Sequence, residues 1–283
     1  MTDAAAMPRA GEARSQRIAG DTRVYAIIGD PIAQVASPLI FNSLFAERCI
    51  DAVLVPLQVP PPGLASLFDM FRTTANLNGL VVTVPHKVDA LRLVDQVQPA
   101  ALRIGAINAI RKEPDGRLTG GNFDGIGFVA GLVAAGHGVA GREALVVGSG
   151  GAGRAIAHAL ADAGVVRIGV HDADRTRADT LAGEIAAAHP ALTVVRTEPR
   201  ARTFDLIVNC TPCGMGPGDS LPVDLAGISR GAIVADIVLK PSTTALLREA
   251  DRLGCFTQPG LPMLQMQSDA VLAFFMGDGS HGA

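Results

Sequence analysis

Residues 143–172 read EALVVGSGGAGRAIAHALADAGVVRIGVHD. The apolar run Ala144–Val147 predicts a short buried strand, and Gly148-Ser149-Gly150-Gly151-Ala152-Gly153 then fits G-x-G-x-x-G. An alanine-rich helix follows, and a second strand ends at His171-Asp172. In this strand–turn–helix–strand setting the glycines have a physical task. A turn without side chains bends tightly and lets a pyrophosphate approach, while free N–H groups at the helix N-terminus face its negative charge. Gly148, Gly150, Gly151, Ala152 and Gly153 are therefore candidate dinucleotide-binding residues. Choice of cofactor falls to the end of the second strand. An acidic side chain there hydrogen-bonds a ribose hydroxyl and repels a 2′-phosphate, and an arginine does the reverse. Asp172 stands there, 24 residues beyond Gly148 and close to Asp174, but Arg175 and Arg177 follow. The reading favours NAD and leaves NADP open.

Working outward, the same alternation of strand and helix runs along the whole chain. After the glycine turn come VVRT, FDLIVN and GAIVADIVL as strands, and LPMLQMQSDAVLAFFMG closes the chain as a helix. Before it, VYAIIG, AVLVPLQV and GLVVTVP are strand-like. Ser37-Pro38 starts a helix, with Ser37 as its N-cap and Pro38 at its first position. Leu64, Leu67, Phe68 and Phe71 lie at helical spacing, and a helix is expected to carry Lys87. AINAIRKEPDGRLTGG reads as a hairpin turning at Pro114-Asp115-Gly116. Strands alternating with helices imply parallel sheets built from right-handed βαβ units. The expected fold is a two-lobed α/β protein. Residues 1–20 form a loose tail, and residues 21–122 with 257–283 form a substrate lobe. Residues 123–256 form a Rossmann-type dinucleotide-binding lobe, with a cleft between the two.

The composition excludes several classes. At 283 residues, 48% hydrophobic, 18% charged and net charge −3, the chain has ample core and no nucleic-acid footprint. No apolar run approaches a membrane span, and the first twenty residues lack the apolar core of a signal peptide. Four cysteines do not suggest a disulfide framework, so a reducing cytoplasm is the expected compartment. Cys210-Thr-Pro-Cys213 has C-x-x-C spacing. It lacks the second pair or nearby histidines of a zinc site, and glycines follow it where a redox motif would open a helix. No metal is expected. The partner is a small molecule, and a monomer or homodimer is equally compatible.

Residues 79–87, GLVVTVPHK, pose the chemical question, because a core strand ends by delivering Lys87. An exposed lysine is ordinary at a strand end, whereas a lysine at the floor of a cleft is available for proton transfer. Asp124, in GGNFDGIGF, is either an N-cap for the helix starting near Gly125 or a second member of that chemistry. With these segments in order, the chain resembles the shikimate and quinate dehydrogenase family from Gly29 to about Gly277. GDPIAQVASP, GLVVTVPHK, IGAINAI, GGNFDGIGF, GSGGAGRA, NCTPCGM and GLPMLQMQ resemble its successive signatures. The resemblance implies reversible hydride transfer between a nicotinamide and a secondary alcohol on a cyclohexane-type ring. It implies Lys87 and Asp124 as the catalytic pair flanking the reacting oxygen, and Ser37, Thr83, Asn108 and Gln267 as substrate contacts. Read singly, Ser37 suits a cap, Thr83 a strand, Asn108 a turn and Gln267 an exposed helix position, while His86 is incidental.

Four positions depart from the family pattern in one direction. Val35 replaces the first serine of S-x-S, Val81 the asparagine of N-V-T, Phe123 the threonine before the aspartate, and Leu239 a tyrosine. The resemblance assigns that serine and tyrosine to the shikimate carboxylate, which makes Val35 and Leu239 candidate specificity positions. Hydrogen bonds to a charged group are worth roughly 1.5–3 kcal/mol each, so losing two weakens shikimate binding by roughly a hundredfold to ten-thousandfold. The expectation is a dehydrogenase of a cyclic hydroxy acid with an altered carboxylate pocket. Two alternatives stand beside it. One is an ordinary shikimate or quinate dehydrogenase in which Gln34 and Ser37 compensate; the other is a dinucleotide-binding sensor without turnover.

Overall fold

The structure is a computed structural model that describes residues 18–216 and 218–277. Most of the loose tail expected over residues 1–20 therefore lies outside the described residues. Two six-stranded sheets organise the chain. The first contains β1 (Arg23–Gly29), β2 (Ala52–Gln58), β3 (Leu77–Val82), β4 (Gln96–Val97), β5 (Ala109–Lys112) and β6 (Leu118–Gly121), in the order β2-β1-β3-β5-β6-β4. Its β1–β2, β1–β3 and β4–β6 pairs are parallel, but β5 runs antiparallel to both β3 and β6. The sheet is thus mixed rather than parallel, because the hairpin turning at Gly116 (φ +87°) sits in its middle and not at an edge.

Side chains alternate across β1 with period two. Ala26 and Ile28 join a core with Phe68, Phe71 and Leu80, where α2 (Leu64–Thr73) packs. Tyr25 and Ile27 face the opposite way, toward Phe41 and Phe45 of α1 (Ser37–Glu47) and Phe274 and Phe275 of α8 (Leu261–Met276). The C-terminal helix therefore belongs to the core of the first sheet. Tyr25 stacks on Phe275 at 4.8 Å between centroids.

The second sheet contains β7 (Glu143–Val147), β8 (Arg167–His171), β9 (Thr193–Arg196), β10 (Leu206–Asn209), β11 (Ile233–Asp236) and β12 (Phe256–Gln258). Every pair is parallel, and the order is β12-β11-β10-β7-β8-β9. This is the doubly wound order that reverses between β7 and β10, and such sheets bind ligands in the crevice at the reversal. The glycine turn leaves β7 at that point and leads into α5 (Gly151–Asp162).

Between the sheets runs α4 (Asp124–Ala134), packed on both α5 and α8. Its glycines make that double packing possible. A Cβ at Gly125 would lie 2.3 Å from the Ala155 carbonyl oxygen of α5, and one at Gly127 would lie 2.5 Å from that of Met263 in α8. The first residue of this tightly held helix is Asp124.

Three local expectations are corrected. Ser37 lies inside α1 and caps nothing with its side chain; Ala36 occupies the cap position, so Pro38 stands second in the helix rather than first. Lys87 is not on an α-helix but in a turn before a short 3₁₀ segment, Asp89–Arg92. Asp124 opens α4 without capping it, since its two oxygens are engaged elsewhere.

Candidate active site

Lys87 leaves the C-terminal end of β3 and turns inward. Its Nζ donates to Asp124 Oδ2 at 2.5 Å, with the two side chains only 12% and 3% exposed. The other Asp124 oxygen accepts from Asn108 Nδ2 at 2.9 Å. Asn108 also donates to Gln267 Oε1 at 2.9 Å, and its own Oδ1 accepts from the Phe123 amide. Four side chains from positions 87, 108, 124 and 267 thus share one buried hydrogen-bonded network. Asn108 and Gln267 are buried, so Gln267 is not the exposed helix residue its sequence position alone suggests.

The backbone supports this network. Ile107 N bonds to the Lys87 carbonyl at 2.9 Å, anchoring the turn that presents the lysine. Asn122, which the sequence reading passed over, donates to the Ala106 carbonyl and accepts from the Asp124 amide, at 3.0 and 3.1 Å. Its bond to the Asp124 amide is a local Asx turn that the asparagine in GGNFDG could have signalled, whereas its bond to Ala106 spans sixteen residues. His86 is buried and its ring Nε2 lies 2.6 Å from the Val59 carbonyl, which fits an anchor for the turn rather than a chemical role.

The pair abuts the glycine turn. A Cβ at Gly151 would fall 2.9 Å from Lys87 Cβ and 3.4 Å from Ala106 Cβ. The ammonium–carboxylate pair and the dinucleotide groove are therefore neighbours, with no layer of packed protein between Lys87 and the turn. Gly148 has φ +101°, a conformation that favours glycine. A Cβ at Gly153 would lie 1.9 Å from the Gly148 carbonyl oxygen, so the turn closes only without one. Nothing stands within 4 Å of the corresponding position at Gly150, which leaves an open face. Ala152 lies in the first turn of α5. Tight turn, open backbone and helix N-terminus together fit a pyrophosphate.

Asp172 follows β8, and its carboxylate accepts from Ser149 N at 2.6 Å and from Asp174 N at 2.9 Å. Arg177 pairs with Asp174 at 3.4 Å, and Arg175 is exposed. Cys210 lies behind the turn, where a Cβ at Gly148 would meet its backbone carbon at 3.0 Å. Burial raises its thiol pKa, and the charges of Asp236 and Asp124 add to the effect, so it is a poor thiolate. Among the described residues no group of three or more His, Cys, Asp or Glu is placed to hold a metal ion. None of the described helices is long and apolar enough to cross a membrane.

Three of the four departing positions, Val35, Val81 and Phe123, lie with the core of the first sheet, whereas Leu239 follows β11 of the second. Val35 and Val81 pack against the cluster containing Phe123 and Phe274, whose rings are 5.3 Å apart. Gly29 links this region to the strand end that carries Thr83, since a Cβ there would fall 2.4 Å from Thr83 Cγ2. Ser37 is buried, and Thr83 and Leu239 are half-buried. The Gln34 amide nitrogen is bound to the Pro31 carbonyl at 2.8 Å.

Comparison with known proteins agrees with this architecture. Residues 27–110 match the family model for the shikimate dehydrogenase substrate binding domain. Over 267 residues the chain is 38% identical to the shikimate dehydrogenase (NADP(+)) of Symbiobacterium thermophilum, covering 91% of this chain and 90% of that protein. The shikimate 5-dehydrogenase of Thermus thermophilus, solved with NADP(H) and shikimate, superposes with a TM-score of 0.80. It has 34% identity and covers 90% of this chain and 94% of that one. The ligand-free 5-ketofructose reductase of a Gluconobacter strain has a TM-score of 0.79 and 28% identity, with 92% and 94% coverage. The near-complete coverage, together with the two-sheet plan and the glycine turn at its reversal point, establishes that the chain belongs to the shikimate dehydrogenase family.

Proposed function

We propose that the chain is a nicotinamide-dependent dehydrogenase that transfers hydride reversibly between the cofactor and a ring secondary alcohol, in a cleft between the lobes 21–122 with 257–283 and 123–256. One observation carries the proposal: the buried Lys87–Asp124 pair lies directly against Gly151 of the glycine turn. Oxidation of an alcohol requires a proton to leave the hydroxyl as hydride leaves the carbon, and reduction of the ketone requires a donor at the developing alkoxide. Lys87 takes up or returns that proton. Asp124 orients the lysine, Asn108 and Gln267 hold the neighbouring hydroxyls, and Asn108 fixes the carboxylate from its far side. Ser37 and Thr83 supply further hydroxyl contacts. The bound nicotinamide supplies the hydride acceptor. A dinucleotide sensor has no use for this proton-transfer pair, which argues against that alternative.

Within this reading the preferred cofactor is NAD. Asp172 presents a carboxylate at the end of β8, and Arg177 is engaged by Asp174. The preference sets the chain apart from its NADP(+)-linked relative. The preferred substrate is a polyhydroxylated ring alcohol other than shikimate, because Val35 and Leu239 offer no hydrogen bond to a carboxylate. Gln34, the residue best placed in sequence to compensate, already commits one of its two amide hydrogens to Pro31. The likeness to a reductase named for a keto-sugar supports a less acidic substrate. The deciding experiment is steady-state kinetics on shikimate, quinate and neutral cyclic polyols and their ketones with both cofactors. NAD-linked turnover of a panel member with shikimate a poor substrate is expected. Efficient shikimate turnover at micromolar KM overturns the altered pocket, and a kcat/KM preference for NADP overturns the cofactor assignment.

A further inference from the structure

Residues 104–108, IGAIN, form a bridge between the two halves of the site. Each of them is held by a neighbour outside the segment. The Ile104 carbonyl accepts from Arg154 Nε at 2.5 Å. Gly105, which ends α3 (Pro99–Ile104) with φ +71°, lies under the same guanidinium, where a Cβ would be 2.8 Å from Nη2. Ala106 faces Gly151 and gives its carbonyl to Asn122. Ile107 N bonds to the Lys87 carbonyl, and Asn108 bonds to Asp124 and Gln267.

Arg154 is the residue immediately after Gly153 of the glycine turn, in the first turn of α5. Its side chain is 15% exposed and is fixed from behind by Glu184 of α6 (Arg175–Ala188), Nη2 to Oε2 at 2.6 Å. It therefore begins at the dinucleotide groove and ends on the segment that anchors Lys87 and Asp124. A planar guanidinium with several donors can hold a carbonyl and a carboxylate at once over a bare glycine, and a lysine cannot reproduce that fork.

We propose that Arg154 is a positioning residue: it sets the spacing of the glycine turn from the Lys87–Asp124 pair, and with it the hydride-transfer distance. The proposal rests on the dehydrogenase reading given above. Displacement of about 1 Å at a reacting centre costs on the order of a hundredfold in rate, so a modest loosening of this contact has a large kinetic effect.

The test compares wild type with Arg154→Met, Arg154→Lys and Glu184→Gln, using whichever alcohol of the panel the wild type oxidises. For Arg154→Met, kcat falls by about 10- to 100-fold, and deuterium at the transferred position produces a larger isotope effect. The NADH dissociation constant, read from the fluorescence of the reduced nicotinamide, stays within about threefold. Arg154→Lys and Glu184→Gln fall between. An isotope effect unchanged from wild type, with kcat lowered only in proportion to folded protein, assigns Arg154 a purely structural role and overturns the proposal. Amide exchange supplies a readout free of turnover. NAD slows exchange over residues 104–108 in wild type, and Arg154→Met loses that response while still binding NAD. Retention of the response in that variant overturns the proposal as well. Absence of turnover with every panel member in wild type counts against the dehydrogenase reading instead, leaving the exchange experiment to judge Arg154.

Discussion

The floor of the cleft and its substrate-side wall are built on opposite principles. On the floor, Lys87, Asp124, Asn108 and Gln267 satisfy one another through short hydrogen bonds in a largely buried setting. On the wall, Val35 and Val81 pack over a buried apolar cluster that contains Phe123 and Phe274. A buried charge needs a partner or it becomes costly, which makes the floor intolerant of change. An apolar wall tolerates exchange among residues of similar volume. A family can therefore keep one chemistry while its wall is redrawn for different guests.

The largest effect is expected on the floor. Lys87→Ala should lower kcat by about a thousandfold, within the usual range for an acid–base group, with NAD affinity changed by less than about threefold. Calorimetric titration beside a rate assay checks this, and retained turnover in the variant removes the lysine from the mechanism. Next comes the wall. The double variant Val35→Ser with Leu239→Tyr should raise kcat/KM for shikimate by roughly a hundredfold to ten-thousandfold through two restored hydrogen bonds, leaving the floor's pH profile in place. No gain would mean that these positions do not meet the carboxylate.

The smallest effect concerns stability and tests the contrast from the other side, with a buried polar group that has no partner. His158, on α5, is 1% exposed, and neither ring nitrogen has a hydrogen-bond partner. Burial, aided by the nearby Arg103 and Arg154 charges, lowers its pKa from 6.5 to about 4. Between these values the unfolded chain binds a proton that the folded chain refuses. Stability from this group is therefore complete above pH 6.5 and is lost as pH falls toward 4. After discounting for solvent screening the change is about 2 kcal/mol. Denaturant titrations near neutral pH and a little above the folded pKa should show His158→Leu losing less stability than wild type by that amount; parallel losses would show that His158 does not titrate in this window.

Much of this plan was legible before any coordinates. The glycine turn, the Pro114-Asp115-Gly116 hairpin and the strand that leads toward Lys87 are local patterns, and local patterns determine local backbone. The chain's departures from the family pattern at Val35 and Leu239 were equally visible. What escaped was set by contacts between distant segments. Ser37 has the chemistry of a cap, yet Ala36 takes the cap position because the chain enters α1 one residue earlier. Gln267 reads as a surface residue until α4 presses against α8 through Gly127. Arg154 reads as an ordinary helix arginine, and its contact with Ile104 spans fifty residues of sequence.

The Asp172 carboxylate has a consequence for any attempt at coenzyme redesign. The same two oxygens that the proposal assigns to discrimination between ribose forms also latch Ser149 and Asp174. Exchanging that one residue to admit a phosphorylated coenzyme would release the latch as it opened the door. A lineage, or an engineer, switching coenzymes must therefore install a substitute fastening for the loop first.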